Sequence, residues 1–562
     1  MPLPQKRREA AIPGGEWPVL ISVAYGRPWE GERACPTGRE SSRYGPAADR
    51  MLALLRPIPR RILTPTQLVD ALPGGTRLHL PEEATDPALV RLADITHDSA
   101  QAGPGVLFAC RPGQRNDGHT FAPEVVAAGS PALLCERTLP VIVPQILVHS
   151  VAEAMGPAAA AIHGHPSRDL RLIGVTGTSG KTTTTYLVES ALRAAGHVTG
   201  LIGTVTTSVA GREVRGARTT PEATDLQRLL REMVTSGVTG AAMEVSSHGL
   251  ALGRVRGTRF AAAVFTNLGQ DHLDFHHDLE DYFAAKAGLF TPEFTPIAVV
   301  NVGDPWGRRL AGSITGNVVR VGVGVTDAEV VASDVVSGPD GSAFTVRCGE
   351  RRLRARVAMP GLFNVANAVC ALAAAVSVGV DLDTAASGIA EVQGVPGRME
   401  RIDAGQPFTV LVDYAHKPDA LTNVLAAARQ LTGSNVIVLV GCGGDRDRAK
   451  RPVMGKAAAE LADLAVFTSD NPRSEDPLAI IDAMVRGARG VPGARWTVEA
   501  DRRSAIALAL EAASPGDVVV IAGKGHEPYQ EVSGQLLPFD DRLVASELLR
   551  QAEGRRREGV KP

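Results

Sequence analysis

The segment GVTGTSGKTTTT, Gly174 to Thr185, carries the residue types and spacing with the plainest chemical use. A glycine-rich turn that follows an apolar run and opens a helix directs several backbone N–H groups at one point, which suits a phosphate. Gly177, Thr178, Ser179 and Gly180 make the turn, Lys181 adds a cation, Thr182 offers a hydroxyl for Mg²⁺, and Thr183 continues the helix start. The commoner G-x-x-x-x-G-K spacing would put glycine at position 175, where Val175 stands, so the loop is a variant. Glu244 closes a second apolar run, GAAME, and is a natural Mg²⁺ carboxylate, because that ion takes oxygen ligands. In QDHLDFHHD, His272 and His276 have H-x-x-x-H spacing, yet Leu273 holds the place a zinc-protease glutamate would need. The six cysteines form no C-x-x-C pair, which excludes a disulfide framework and a thiolate zinc site and suits a reducing cytoplasm.

Residues of this kind need strands whose carboxyl ends converge, and the chain supplies two sets. Apolar runs starting at Arg171, Gly240, Ala261 and Ile297 each end in a polar cluster, with helical stretches between them. The pattern returns in FTVLVDYAH from Phe408, NVIVLVGCGGDRD from Asn435, LAVFTSDNPR from Leu464 and DVVVIAGKGHE from Asp517. Strands buried on both faces read this way, and ligands gather beyond their carboxyl ends. Ahead of them, strands at Gly105 to Cys110 and Ala132 to Cys135 around a helix at Ala122 to Ala128 predict a small α/β domain. The expected class is α/β in three domains: residues 61–166 as the small α/β domain, 167–398 as a P-loop ATPase-like parallel sheet, and 399–550 as a Rossmann-like domain. A Pro- and Gly-rich extension over 1–60 is expected to be disordered, HGHPSRDL (His163 to Leu170) to be a linker, and 551–562 a flexible tail.

The 59 Lys and Arg against 61 Asp and Glu leave a net charge of −2, and aromatics are only 4%, so neither charge nor stacking surface points to nucleic acid. The uncharged stretch Val357 to Val380 is Ala-rich and interrupted by Pro360, Asn364 and Asn367, which predicts a buried helix rather than a membrane span.

TGTSGKTTT resembles the ATP loop of the Mur ligases, which build the peptide of bacterial cell-wall precursors. Further clusters match that family in order: TTPEA from Thr219, MEVSSHGL from Met243, FTNLGQDHLDFH from Phe265, AAKAGLF from Ala284, PGLFNVANAVCAL from Pro360, PGRME from Pro396, DYAHKPDAL from Asp413, GCGGDRDRAKRP from Gly441, DNPR from Asp470 and GKGHE from Gly523. The resemblance implies an ATP-dependent ligase that forms an amide through an acyl phosphate. Such chemistry needs no covalent nucleophile; it needs anions held in line and their charge neutralised. It implies catalytic roles for Lys181, Glu244, His272 and Lys286, the last carbamylated by CO₂ so that it helps Glu244, His272 and Thr182 hold Mg²⁺. Asn364, Asn367, Arg398 and Asp413 then surround the nucleotide, while His276 and His277 are local structure. Where the family usually has arginine, this chain has Gln270, which leaves that position without an assigned role.

By the same resemblance Asp98, Ser99, Gln114, Arg115 and Asn116 face the uridine part of UDP-N-acetylmuramoyl-L-Ala-D-Glu, and Thr219, Thr220, Ser246 and Arg254 its muramoyl-dipeptide. Ala100 and Leu252 depart from the family pattern. Arg446, Asp470, Asn471, Pro472, Arg473, Gly523 and Glu527 are the amino-acid residues. Meso-diaminopimelate differs from lysine by a distal carboxylate, which Arg446 and Arg473 are placed to meet and which would leave a repelled pocket for lysine. A lysine-adding ligase, a folylpolyglutamate synthase and a P-loop regulator without an amino-acid site are the alternatives. The chain is expected to be a cytoplasmic monomer with no membrane or nucleic-acid partner.

Overall fold

The computed structural model describes residues 62–113, 116–214 and 218–559. The expected disordered extension, Gln114 and Arg115 lie outside them.

The first domain is a five-stranded sheet in the order β1-β5-β4-β3-β2. Its strands are β1 (Arg77–His79), β2 (Asp94–Thr96), β3 (Val106–Ala109), β4 (Leu133–Cys135) and β5 (Gln145–Leu147). The short strands alternate with helices Ala122–Ala127 and Val151–Ile162, as the α/β pattern requires.

The central domain is built on eleven strands ordered β16-β15-β14-β13-β12-β11-β6-β10-β7-β8-β9. The four runs expected to be buried strands form its middle: β6 (Arg171–Thr176), β10 (Gly240–Glu244), β11 (Ala262–Phe265) and β12 (Ile297–Asn301). With β7 (Thr199–Ile202) and β13 (Asn317–Val323) they pair in parallel. Their residues are buried on both faces because helices cover both. Helices Lys181–Ala194, Leu362–Ser377 and Leu382–Glu391 pack on one side, and Ala223–Thr235, Leu279–Ala287 and Pro305–Ser313 on the other. The Ala-rich stretch is therefore the buried helix its composition predicts, with Ala368, Ala371 and Ala374 fully enclosed.

Antiparallel wings extend this sheet at both edges. They are β8 (Thr207–Val209) with β9 (Arg212–Val214), and β14 (Val330–Gly338), β15 (Gly341–Cys348) and β16 (Arg351–Val357). The C-terminal sheet, β17-β18-β22-β19-β20-β21, has four strands where FTVLVD, NVIVLV, LAVF and DVVVIA predict them: β18 (Thr409–Asp413), β19 (Val436–Val440), β20 (Leu464–Phe467) and β22 (Val518–Ala522). Edge strands β17 (Glu400–Ile402) and β21 (Trp496–Val498) complete it, and the hairpin β23 (Tyr529–Val532) with β24 (Gln535–Pro538) stands beside it.

The 163–170 segment runs from helix Val151–Ile162 to β6, where a linker is expected, and it is packed: His163 reaches Asp94 at 3.2 Å and Ser167 is buried. One expectation needs correction. The last helix, Asp541–Gly559, continues past residue 550, where a flexible tail was expected, because Gln551, Ala552 and Glu553 are good helix formers.

Candidate active site

Beyond the carboxyl end of β6 the chain turns through residues 177–180 into helix Lys181–Ala194. Gly177 has φ +149° and Gly180 φ +85°, and a Cβ on either would lie 1.9 Å from Thr266 Oγ1 or 2.3 Å from Asn367 Oδ1. Both positions therefore require glycine, since a side chain would meet strain and collision together. The turn is pinned from β11: Thr266 Oγ1 donates to the Ser179 carbonyl at 2.6 Å, and Ser179 N–H donates to Asn267 Oδ1 at 2.9 Å. Thr178 Oγ1 lies 3.1 Å from the Tyr282 hydroxyl and accepts from Gly269 N–H at 3.0 Å. Lys181 Nζ donates to the carbonyls of Gly177 (2.9 Å) and Thr178 (3.1 Å), folded over its own loop. Burial, then the charge of Lys417, brings its pKa down to about 8.

A cavity of about 360 Å³ opens over this loop. It collects Thr178 to Thr183, Glu244, His272, Asn364, Asn367, Arg398 and Asp413, which are far apart in the sequence. Glu244 is 1% exposed; it accepts from Thr182 Oγ1 at 3.0 Å and Thr204 N–H at 2.8 Å. Among the described residues no lysine or arginine lies within ion-pair distance of this carboxylate. A buried carboxylate without a cation beside a hydroxyl is an oxygen-donor set that fits Mg²⁺. Arg398 Nη2 donates to Thr182 Oγ1 at 3.2 Å, and its guanidinium lies 4.6 Å from the Tyr414 ring centre. Asp413 accepts from Met399 N–H (2.7 Å) and Ala415 N–H (2.8 Å), so the carboxylate also fixes the two loops at the cavity floor. Burial pushes its pKa up against the pull of Arg398.

His272 has φ +54°, and its Nε2 lies 2.9 Å from Asp271 Oδ2. His276 turns away from the cavity toward Asp281 at 3.3 Å, and the described residues hold no cluster of three or more metal-ligating His, Cys, Asp or Glu. Lys286 would pass for a surface lysine on a helical face, but it is 1% exposed. Its Nζ donates to the Gly177 carbonyl at 2.8 Å and sits 4.5 Å from the Tyr282 ring centre. Burial and the nearby Lys181 charge hold its pKa well below the usual lysine range.

Between the first two domains lies a second cavity, of about 590 Å³, lined by Asp98 together with His97, Arg218 and Glu222. Asp98 also caps a short 3₁₀ turn through Ala100 N–H at 3.0 Å, with Ser99 as the first residue of that turn. Asn116 is exposed in a separate turn and does not line the cavity. Thr219 and Ser246 line the first cavity, and Thr220 is buried behind them: Thr219 and Thr204 hydroxyls are 2.9 Å apart, Thr220 and Ser246 hydroxyls 3.1 Å. Arg254 pairs with Glu222 at 3.0 Å, and so do Arg111 at 2.8 Å and Arg218. Three guanidiniums thus converge on one buried carboxylate, and of them Arg218 lines the cavity together with Asp98, Glu222 and Asp225. Sequence reasoning found only Arg254, because Arg111, Arg218 and Glu222 carry no motif that links them across the domain seam.

In the C-terminal domain, Asn471 Nδ2 donates to Glu527 Oε2 at 2.8 Å, and Tyr414 Oη donates to Glu527 Oε1 at 3.2 Å. Asp470 is buried against Gly523, whose φ of +115° brings the two strand ends together. Arg473 follows Pro472 at φ +52° and is not a free fork. Its Nε donates to Glu531 at 3.0 Å and Nη1 to the Gly444 carbonyl at 2.8 Å. Arg446 is exposed, and its stem approaches Gly443 from the same side as Arg473. Arg502, fully buried and paired with Asp541 at 2.7 Å, donates to the carbonyls of Ser469 and Ala522 and so fixes the DNPR and GKGHE loops from behind.

A phosphate loop on a central parallel sheet, a substrate-sized cavity before it and a Rossmann-like sheet carrying polar loops after it define a three-domain, ATP-using ligase architecture. The Mur ligase middle domain model matches residues 175–375, and the Mur ligase glutamate ligase domain model matches 397–525. A relative from Streptomyces avermitilis, UDP-N-acetylmuramoyl-L-alanyl-D-glutamate--2,6-diaminopimelate ligase, is 49% identical over 84% of this chain and 95% of its own. The protein of the same name from Solibacter usitatus is 46% identical over 83% of this chain and 95% of its own. A solved structure of a ligase with that name aligns with TM-score 0.65 and 31% identity over 88% of this chain and 100% of its own. Folylpolyglutamate synthase from Mycobacterium tuberculosis shares the fold at TM-score 0.54 with 20% identity. The chain belongs to the Mur ligase family.

Proposed function

We propose that this protein joins meso-diaminopimelate to the glutamate carboxylate of UDP-N-acetylmuramoyl-L-Ala-D-Glu, with ATP as co-substrate. The observation that carries the reading is the single cavity where the glycine turn, Lys181, Arg398 and the Glu244 carboxylate meet, with Thr219 and Ser246 in its wall. The substrate carboxylate and the γ-phosphate are both anionic, and bringing them together requires cations already in place. Lys181 and Arg398 supply them. The acyl phosphate then meets the amine, which Asp470 and Glu527 would hold, while Arg473 and Arg446, which both approach Gly443, would meet the distal carboxylate.

Thr182, Glu244 and His272 would hold Mg²⁺, which screens phosphate charge when bound. Lys286 would join them as a carbamate: CO₂ bonds to the neutral amine and one N–H proton leaves, turning a cation into a carboxylate. Its burial supports this, because only an uncharged amine attacks CO₂. Asp98, Ser99 and Asn116, with Gln114 and Arg115, remain the proposed uridine residues. Asn364, Asn367 and Asp413 remain the proposed nucleotide residues.

The test is an omission assay. ADP release should require the UDP-dipeptide and the amino acid together with ATP. Release that proceeds unchanged without either acceptor would make the protein a nucleotide hydrolase instead.

A further inference from the structure

Lys417 ends the turn that follows β18 and stands as the N-cap residue of helix Pro418–Gln430. Its side chain leaves the C-terminal domain and pairs with Asp271 of the central domain, just beyond β11. Each of the two side chains is only 14% exposed. The contact does not stand alone. The Gln270 N–H donates to Asp419 Oδ2 at 3.4 Å, so two consecutive residues of one domain meet two nearby residues of the other. Behind the turn, Lys450 Nζ donates to the His416 carbonyl at 2.9 Å and His416 Nδ1 lies 2.7 Å from the Tyr414 carbonyl. The backbone that carries Lys417 is thereby held on its own side.

The location gives this pair a use beyond joining two domains. Lys417 lines the phosphate cavity with Lys181 and Arg398. Asp271 is shared between Lys417 and His272, so the carboxylate that receives the lysine also orients an imidazole in the same cavity. The residue before it, Gln270, is uncharged. The lysine that meets Asp271 is therefore delivered across the domain boundary by the C-terminal domain. The same turn holds Asp413, Tyr414 and His416, all of which line the cavity.

We propose that Lys417 is a positioning residue for phosphoryl transfer: seated on Asp271, it fixes the 413–417 turn and His272 around the phosphate cavity when the acceptor carboxylate meets ATP. The inference rests on the ligase reading above. In the step concerned, a carboxylate oxygen bonds to the γ-phosphorus and the bond from that phosphorus to the β,γ-bridging oxygen breaks, its electron pair leaving with ADP. No proton is transferred. The amine attacks only afterwards, so an effect of Lys417 should appear before the amino acid is needed.

Positional isotope exchange in ATP labelled at the β,γ-bridge, run with the UDP-dipeptide and without amino acid, isolates that step. Lys417→Gln removes the charge but keeps a donor for Asp271, and Lys417→Arg keeps the charge. The glutamine variant should lose exchange and kcat together, by roughly 10- to 100-fold, the scale of losing one preorganised electrostatic group. Its KM for meso-diaminopimelate should move less than about threefold and its melting temperature little, while the arginine variant recovers much of the exchange. Wild-type exchange in Lys417→Gln, or a loss that falls only on the amino-acid KM, would overturn the proposal. If the glutamine variant melts early, the arginine variant decides: it must exchange faster than Lys417→Gln at a temperature where both are folded, and equal rates overturn the role. Failure of the ligase reading looks different, since the wild type itself would then show no exchange and no amide product.

Discussion

Lys286 shows how far a single residue can depart from what its neighbours in sequence suggest. AAKAGLF reads as a helix with one cation, and nothing in that string says which face the lysine takes. The fold turns it inward, where burial and Lys181 oppose its charge. A carbamate there should add 44 Da per chain, about the mass of CO₂, and give a carbonyl signal when ¹³C-bicarbonate is supplied. Lys286→Ala should lose turnover by roughly 10²-fold or more, in line with removal of a preorganised charged group, and recover part of it with short carboxylic acids. Full activity in Lys286→Ala would show that the lysine only fills space. By contrast Glu244, Lys181 and Thr182 were legible beforehand, because a strand end and a glycine turn announce themselves over a few consecutive residues. The meeting of Arg111 and Arg254 on Glu222 was not, since tertiary structure alone brings them there; only Arg218 is a sequence neighbour of that carboxylate.

Among the elements, the strands that were easiest to read are those buried on both faces. Continuous runs such as AAVF and VVVIA have no polar side to hide, and their polar ends fall where the ligands must be. The wing β14 to β16 was missed for the complementary reason: RRLRARV alternates buried and exposed residues, and its arginines mask the strand in composition. The seam between the first domain and helix Ala223–Thr235 was also invisible, although electrostatics hold it. Burial would raise the Asp94 pKa, but hydrogen bonds from His163 and Arg228 overcome this and lower it to about 2. A carboxylate with a depressed folded pKa contributes stability that is present above its unfolded pKa and lost as pH falls through the folded one. Asp94 should therefore stabilise this seam above about pH 4 and cease to do so near pH 2, by about 1–2 kcal/mol after allowance for its partial exposure. Urea unfolding of Asp94→Asn should show the deficit at pH 6 and a smaller one at pH 3; an equal deficit at both would remove the ion pair from the explanation.

At the scale of the whole molecule, each domain contributes polar groups to the candidate site. The first faces the second cavity with Asp98 and sends Arg111 to Glu222, the central domain holds the phosphate loop, and the third carries Asn471, Arg473 and Glu527. No described helix is long and apolar enough to cross a membrane. The order of motifs made the three-part plan readable, but not how Arg473 is held. Arg473 spends Nε on Glu531 and Nη1 on a carbonyl, so a distal carboxylate would be met by an anchored guanidinium rather than by a freely moving one. An anchored donor loses less freedom on binding and sharpens the distinction between amino acids with and without that carboxylate. The decisive measurement is kcat/KM for meso-diaminopimelate and for L-lysine, with UDP-N-acetylmuramoyl-L-Ala-D-Glu and ATP, in the wild type and in Arg473→Ala. The account predicts a strong wild-type preference for meso-diaminopimelate, which Arg473→Ala erodes by roughly thirty-fold or more on that substrate alone, the cost of breaking one side of a charge-assisted pair. Equal use of the two amino acids by the wild type, or equal losses in the variant, would contradict it.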